Sequence, residues 1–147
     1  MTREDILTSV QQCLAQTLDI EAGRIRPEDR VIDDLGADSL DLLDLTFRIE
    51  QQLKVHVSPR DFAQRAERQL GGQEWQVDGV YTPAGLAELR AAMPEIPPEE
   101  LPDGLRVVEL PRRIRVTTIV NLIERAMKES GGQPVAASPT TSASGGA

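Results

Sequence analysis

The sequence predicts an all-α fold, and three observations support that prediction. Only 3% of the 147 residues are aromatic, so Leu, Ile, Val and Ala must supply the core, a composition that favours helices over a β-sandwich. Helix-capping residues precede several segments in which apolar residues recur every three or four positions. The chain is also long enough for one domain whose hydrophobic core needs neither disulfides nor a metal.

Composition and charge exclude several classes of function. A net charge of −8 and a pI of about 4.7 disfavour nucleic-acid binding, which requires clustered Lys and Arg. Cys13 is the single cysteine, so neither an intrachain disulfide nor a cysteine metal cluster can form. The N-terminus lacks the basic-then-apolar layout of a signal peptide, and no apolar run approaches the roughly 18 residues of a membrane span. We therefore expect a cytoplasmic, monomeric protein that neither inserts into membranes nor binds nucleic acid.

A first helix and a long loop are predicted over the first 38 residues. Thr2 and Asp5 approximate a capping box, and apolar residues then recur every four positions, which predicts a helix over residues 3–18. Residues 19–38 contain two glycines and one proline with scattered apolar anchors, so we expect a long, ordered loop there.

The second helix is predicted from Ser39 to about Lys54, with Asp38 as its N-cap and Asp41 at the third helical position. Its apolar residues form two stripes, which is more than one packing face requires. The inward stripe comprises Leu42, Leu45, Ile49 and Leu53. The second stripe comprises Leu40, Leu43 and Phe47. This second stripe has two interpretations: it is simply core, or it contacts partners.

Several short elements are predicted within residues 58–112. Ser58-Pro59 would begin a third helix that Gly71-Gly72 ends, because a cap followed by proline is typical of helix starts. The Asp-Gly pair within residues 75–82 predicts a turn between two short β-prone runs, and hence a small hairpin.

The chain then continues through a short helix, a proline-rich stretch and a last helix. Thr82-Pro83 would cap the short helix, which ends near Met93. Four prolines within residues 94–105 exclude a regular helix and predict an extended, semi-rigid connector. The apolar periodicity of residues 116–128 predicts the last helix. Residues 130–147 are too poor in large apolar side chains to repay the entropy of ordering, so we expect a disordered tail.

Ser39 raises a question of chemistry, because five aspartates surround it within residues 33–45. A hydrolytic serine needs a nearby base, and the sole histidine, His56, lies at the far end of a helix about 24 Å long. A Ser-His hydrolase is therefore disfavoured. The aspartates match no phase of an EF-hand, so divalent cations would bind only weakly and adventitiously. Ser39 and Asp38 alone are also compatible with nothing more than a well-capped helix start.

The run VIDDLGADSLDLLDL, residues 31–45, resembles the signature of acyl carrier proteins. These are small helical bundles in which the serine of an Asp-Ser-Leu motif is esterified with phosphopantetheine from coenzyme A. The acidic positions that match the family pattern are Asp33, Asp34, Asp41, Asp44 and Glu50. The resemblance covers roughly residues 3–57, and residues 116–126 resemble the last helix of the family.

The resemblance implies a four-helix, acyl-carrier-like bundle with no catalytic activity of its own. A Mg-dependent phosphopantetheinyl transferase would attach phosphopantetheine covalently to Ser39, with Asp38 and Leu40 beside it. The thiol of this arm would carry acyl groups as thioesters to acyl-loading, elongating or acyltransferase enzymes of fatty-acid, lipid or polyketide-type synthesis. A phosphodiester at a helix N-terminus is also physically favourable, since backbone N–H groups and the helix dipole stabilise an anion there.

The same resemblance implies a role for the acidic residues around Ser39. Residues 28–50 contain eight acidic side chains against Arg30 and Arg48, a net charge of −6. We expect this surface to meet basic docking patches on partner enzymes, where charge mainly supplies on-rate and orientation. The residues expected to contact partners are Asp41, Asp44, Glu50, Leu40, Leu43 and Phe47. The apolar members could also line the space in which family members shelter an acyl chain.

One departure from the family pattern is large. Ordinary members have a short segment between the second and last helices, whereas about sixty residues separate them here. We predict one domain over residues 1–129, in which an insertion, residues 58–112, packs over the bundle and restricts the partner or the acyl chain. Two alternatives stay open: a carrier of aminoacyl or peptidyl groups, and an unmodified interaction module that binds through the insertion.

Overall fold

The computed structural model describes residues 1–57 and 67–131, and this part of the chain is mostly helical, which confirms the all-α prediction. The α-helices are α1 (Arg3–Leu18), α2 (Ser39–Leu53), α3 (Pro83–Ala92) and α4 (Val116–Gly131). Short 3-10 helices span Ala22–Arg24, Pro98–Glu100 and Val107–Arg113. Strands β1 (Gln76–Val77) and β2 (Val80–Tyr81) form an antiparallel hairpin. None of these helices is long and apolar enough to cross a membrane.

Local capping signals set the helix starts where the sequence predicts them. At the start of α1, the Thr2 hydroxyl accepts the Asp5 N–H at 3.1 Å and the Asp5 carboxylate accepts the Thr2 N–H at 3.0 Å. At the start of α3, the Thr82 hydroxyl accepts the N–H of Gly85 at 3.0 Å. Residues 67–70 are helical and end before Gly71, as predicted. The predicted start of that helix at Ser58 lies outside the described residues.

The first hydrophobic core joins α1, α2, α4 and the loop before α2. Its most central members are Ile6, Val10, Cys13 and Leu14 of α1, Leu45 and Ile49 of α2, and Val116, Val120 and Ile123 of α4. Ile25 and Val31 bring the loop into this core, and the Gln11 amide donates a hydrogen bond to the Ile25 carbonyl at 2.8 Å. The loop is therefore ordered, as predicted. Burial raises the pKa of the Cys13 thiol, which behaves as a small core residue.

The insertion contains a second hydrophobic core that shares no residue with the first. Its buried members are Tyr81, Leu86, Leu89, Met93, Ile96, Leu101, Leu105 and Leu110. Trp75 packs against this core with its ring centroid 5.9 Å from that of Tyr81. The predicted hairpin forms, and φ is positive at both Asp78 and Gly79, which is the type I′ geometry that an Asp-Gly pair favours.

The proline-rich stretch is packed against the second core, which corrects the prediction of an extended connector for residues 94–105. It contains the 3-10 helix Pro98–Glu100, and Ile96, Leu101 and Leu105 are each exposed by 2% or less. The prolines do exclude an α-helix, as predicted. The apolar residues between them nevertheless bury their side chains and thereby fix the path of the backbone.

The insertion contacts the bundle through polar groups on α4 and at its start. The Asn121 amide donates to the Glu95 carboxylate at 3.0 Å, and the Arg125 guanidinium donates to the last backbone carbonyl of α3 at 3.2 Å. Arg115 pairs with Glu100 at 2.8 Å. Contacts of this polar kind are typical between separately packed units of one chain. The insertion therefore lies against α4 and the segment that leads into it.

The last helix has the apolar face that the sequence predicts. Ile119 and Ile123 are buried, while Leu122 and Ala126 are half-buried. The disordered tail was predicted from residue 130, but α4 continues to Gly131. The rest of the predicted tail lies outside the described residues.

Candidate functional site

Ser39 is the first residue of α2, and its side chain is exposed to solvent. Asp38 precedes it in an extended conformation, and the Asp38 carboxylate accepts the Asp41 N–H at 2.9 Å. The Asp41 carboxylate in turn accepts the Asp38 N–H at 3.0 Å. The predicted N-cap is thus confirmed as a reciprocal capping box. Two of the five aspartates around Ser39 therefore stabilise the helix start.

A tight turn before α2 holds Ser39 in place. Gly36 has a φ of 83°, a left-handed conformation that residues with a Cβ rarely adopt, although no other atom would lie within 4 Å of an added Cβ. The next residue, Ala37, is 5% exposed and donates its N–H to the Val31 carbonyl at 3.1 Å. Leu35 packs against the first core beside this turn. The serine is therefore presented on a fixed scaffold while its own side chain faces solvent.

Ser39 has no catalytic base nearby among the described residues. His56 follows α2 at its opposite end, where its ring nitrogen contacts the Glu50 carboxylate. The helix between Ser39 and His56 is about 22 Å long at 1.5 Å per residue. No group of three or more potential metal ligands occurs in the described part of the chain either. The geometry therefore does not provide the base that a serine hydrolase requires.

The start of α2 does suit an attached phosphate. The backbone N–H groups of Ser39 and Leu40 have no hydrogen-bond partner within the described residues. Free N–H groups at a helix N-terminus carry the positive end of the helix dipole and bind anions. A phosphodiester on the Ser39 oxygen would therefore find backbone donors beside it, together with an exposed hydroxyl to which it can be joined. The residues present fit the phosphopantetheine arm that the sequence implies.

The second apolar stripe of α2 is exposed, so its interpretation as core is wrong. Leu40 is 75% exposed, Leu43 is 69% exposed and Phe47 is 59% exposed. Their spacing of three and four residues places them on one helix face, which we call the α2 patch. The inward stripe already occupies the face of α2 that meets the first core, and the described residues of the insertion contact α4 and Asp33 instead. Adjacent exposed side chains of this size mark a binding surface more often than scattered single ones do.

Two acids that were expected to face partners are engaged within the bundle. The Asp44 carboxylate accepts hydrogen bonds from Arg48 at 2.8 Å and from Thr17 at 3.0 Å, and these bonds lower the pKa of Asp44 below its ordinary value of 3.8. Glu50 contacts His56. These residues can still attract a basic partner, but their side chains already have partners within the chain.

The acids of the loop before Ser39 are also paired. Arg30 lies 3.5 Å from Asp34, and the Arg30 N–H donates to the same carboxylate at 2.8 Å. This backbone hydrogen bond is the main reason that the pKa of Asp34 is lowered. Asp33 lies 3.7 Å from Arg30 and 3.2 Å from Arg112, a residue of the insertion. The net charge of this loop is therefore smaller than the run of aspartates suggests.

Comparison with known proteins assigns the family. A family model described as a phosphopantetheine attachment site matches residues 8–67. An acyl carrier protein from Thermotoga maritima is 38% identical to the chain over 60 residues, which cover 41% of the chain and 74% of that protein. The chain belongs to the acyl carrier protein family.

Two further relatives support the same family. The acyl carrier protein AcpXL from Rhizobium meliloti is 36% identical over 84 residues, which cover 56% of the chain and 87% of that protein. An acyl carrier protein from Solidesulfovibrio magneticus is 34% identical over 59 residues, which cover 40% of the chain and 76% of that protein. No solved structure matches the chain.

As an acyl carrier protein, the chain is a carrier and not an enzyme, and its cofactor is covalently attached phosphopantetheine. The cofactor supplies the thiol on which cargo is carried. Ser39, the predicted attachment point, lies at the capped start of α2 with its side chain exposed. The family model ends before most of the insertion, so the second core is a feature that the family match does not describe.

Sequence reasoning missed two residues that shape the site. Thr17 binds Asp44 across the α1–α2 contact, and Arg112 binds Asp33 although 79 positions separate the two residues. Neither contact leaves a local sequence signal. The run PRRIR, residues 111–115, is the one hint for the second contact, since it concentrates positive charge directly before α4.

Proposed function

We propose that Ser39 carries the phosphopantetheine arm and that the arm presents acyl groups, held as thioesters, to enzymes of fatty-acid, lipid or polyketide-type synthesis. The observation that carries this proposal is an exposed serine at the first position of a capped helix, within the Asp-Ser-Leu motif and without a nearby base. A separate transferase would supply the base. The absence of a catalytic base near Ser39 among the described residues is therefore expected.

The attachment step is a group transfer from coenzyme A. The Ser39 oxygen attacks the phosphorus of the pyrophosphate that bears the pantetheine, and the adenosine bisphosphate leaves with the electrons of the broken P–O bond. The Mg-dependent phosphopantetheinyl transferase removes the hydroxyl proton. Asp38 contributes by holding the helix start, and Leu40, which is adjacent and 75% exposed, offers an apolar surface for the first part of the arm.

Partner enzymes would dock on α2 beside the attachment point. The α2 patch offers exposed apolar surface, and Asp41 supplies negative charge next to Ser39. Basic docking patches on acyl-loading, elongating or acyltransferase enzymes would complement this surface. The charges would mainly raise the association rate and orient the partner.

Intact-mass measurement tests the attachment site. The purified protein is incubated with coenzyme A, Mg²⁺ and a broad-specificity phosphopantetheinyl transferase, and we expect it to gain the mass of one phosphopantetheinyl group. Ser39→Ala should gain nothing. Ser9→Ala, which removes a half-buried hydroxyl of α1, serves as the matched control and should be modified like the wild type.

Each other outcome has a defined meaning. A mass gain that persists in Ser39→Ala would move the attachment site elsewhere. No gain in the wild type would refute the carrier proposal and favour the unmodified interaction module. If the modified protein accepts an aminoacyl group but no acyl group from the corresponding loading enzymes, it carries aminoacyl or peptidyl cargo instead.

A further inference from the structure

The end of the insertion lies beside the loop that leads into Ser39. Arg30 and Arg115 form an antiparallel bridge, and the Val31 N–H donates to the Ile114 carbonyl at 3.0 Å. The same Val31 accepts the Ala37 N–H at 3.1 Å, directly before the capped start of α2. The starts of α2 and α4 are therefore at the same end of the bundle. The 3-10 helix Val107–Arg113, which precedes α4, lies at this end too.

This segment adds exposed positive charge and apolar surface at the end of the insertion, where Arg112 contacts the loop before Ser39. We call three exposed residues, the N-cap Arg106 together with Val108 and Arg112 of this 3-10 helix, the ledge. Val108 is 68% exposed, and the Arg112 side chain is 63% exposed although it contacts Asp33 at 3.2 Å. The ledge includes two cations, while the one acid between them, Glu109, is engaged with the Arg106 N–H at 2.9 Å. Through Arg112, the ledge thus contacts the loop that leads into Ser39, and its charge is opposite to that of α2.

The ledge changes what a partner enzyme meets at Ser39. Asp33 and Asp34 are matched by Arg30 and Arg112, so these two carboxylates add little net charge to the end of the loop before α2. A basic docking patch that spread from α2 onto this loop would meet the Arg112 guanidinium. Like charges placed opposite each other disfavour a complex, and they are a common means of rejecting wrong partners.

We propose that the ledge selects the partners of this carrier. It fits an enzyme whose docking surface places an acidic and apolar rim opposite Arg112 and Val108, next to the basic patch that meets α2. It disfavours enzymes whose patch is basic throughout. This inference rests on the proposed function, because it takes Ser39 as the point that partners approach.

A charge-removal experiment tests the ledge. The probe is a bacterial malonyl-coenzyme A transferase with a basic docking patch, and the Thermotoga maritima acyl carrier protein serves as its positive control substrate. Arg112→Gln removes one positive charge at the Ser39 end of the bundle. Arg3→Gln is the matched control, because Arg3 is also an exposed arginine in an ion pair, with Glu124 at 2.8 Å towards the other end of α4.

We expect Arg112→Gln to raise kcat/KM for malonyl transfer to the modified protein by about threefold, the scale of one exposed charge pair. The gain should shrink as ionic strength rises, because salt screens exposed charges. Arg3→Gln should leave kcat/KM at the wild-type value. An equal change in both variants, or a lower kcat/KM for Arg112→Gln, would overturn the proposal.

The test of the ledge can be separated from the test of the proposed function. Intact mass first establishes whether Ser39 is modified, and absence of modification counts against the proposed function alone. Binding of the unmodified protein to the same transferase needs no arm, and calorimetry should rank Arg112→Gln as the tightest binder. If the three proteins bind equally well, the ledge has no selective role.

Discussion

Asp38 and Asp41 fix the start of α2 and leave the side chain of Ser39 exposed. Asp38 and Asp41 each accept the other's backbone N–H, so both carboxylates are committed to the helix start. The Ser39 hydroxyl itself makes no hydrogen bond within the described residues, and a transferase would not first have to break one. The acids around Ser39 therefore have different roles. Asp38 and Asp41 cap α2, whereas Asp44 links α2 to α1 by accepting a hydrogen bond from Thr17.

Gly85 is a residue at which one added methyl group should destabilise the insertion. A Cβ there would overlap the carbonyl oxygen of Trp75, which already accepts the Thr82 N–H at 3.1 Å. Gly85→Ala should therefore lower the free energy of unfolding by about 1–3 kcal/mol. Urea unfolding followed by the fluorescence of Trp75, the single tryptophan, measures this change.

Gly23→Ala is the matched control for this prediction. No atom lies within 4 Å of a Cβ at Gly23, and its φ is not in the left-handed region. The free energy of unfolding should change by no more than about 0.5 kcal/mol. If both alanine variants lost the same stability, the close approach of the Trp75 carbonyl would not be the cause.

At the scale of elements, α2 has two apolar faces with different tasks. Leu45 and Ile49 are each 2% exposed and join the first core, whereas Phe47 belongs to the exposed α2 patch. One helix thus holds the bundle together and also exposes an apolar surface, which we propose as the docking surface for partners. The capped start of the helix places Ser39 at the end of that surface.

Alanine substitutions on the two faces of α2 should affect two different properties, the stability of the protein and the rate of its modification. Leu45→Ala should lower the free energy of unfolding by about 2–5 kcal/mol, because it leaves a cavity in the core. Phe47→Ala should change it by no more than about 0.5 kcal/mol, yet it should slow the transferase-catalysed modification of Ser39. Thermal unfolding and timed intact-mass measurement separate the two effects. A large loss of stability in Phe47→Ala would contradict the assignment of Phe47 to an exposed patch.

At the scale of the whole molecule, two hydrophobic cores meet across a charged junction. Arg115 donates to Glu100 at 2.8 Å with its side chain 13% exposed, and Arg113 donates to the Glu100 backbone carbonyl at the same distance. Hydrogen bonding from Arg115 lowers the pKa of Glu100 below its ordinary value of 4.5, and the nearby Arg30 and Arg113 add smaller contributions. This junction attaches the insertion to the start of α4.

The junction should make the stability of the protein depend on pH. A carboxyl whose pKa is lowered by folding stabilises the folded state at pH values above its unfolded pKa, and that stabilisation is lost as the pH falls through the lower folded pKa. Glu100 should therefore contribute fully at neutral pH and lose its contribution below about pH 4.5. Glu100→Gln should be less stable than the wild type at pH 7, and the difference should diminish by about pH 3.

Glu99→Gln is the control for the pH measurement, since Glu99 is the exposed neighbour in the same 3-10 helix. Urea unfolding of the three proteins at both pH values gives the comparison. We expect Glu99→Gln to follow the wild type. A Glu100→Gln variant that lost as much stability on acidification as the wild type would show that the pH dependence arises elsewhere.

Local signals in the sequence determine the elements of this protein. The caps at Thr2, Asp38 and Thr82 predict the helix starts, and Asp78-Gly79 predicts the hairpin turn. These signals work because a cap or a tight turn depends on hydrogen bonds and φ values within a few residues. The Asp-Ser-Leu motif likewise predicts the attachment site from adjacent residues.

The tertiary structure decided which apolar faces are buried and which charged residues are paired. The sequence offered two apolar stripes on α2, and only packing against α1 shows that one is core while the α2 patch is exposed. The proline-rich stretch became part of a second core because its apolar residues meet α3 and the hairpin. Arg112 reaches Asp33 across 79 positions of sequence. Such contacts depend on how whole elements pack, and no pattern within a few residues encodes them.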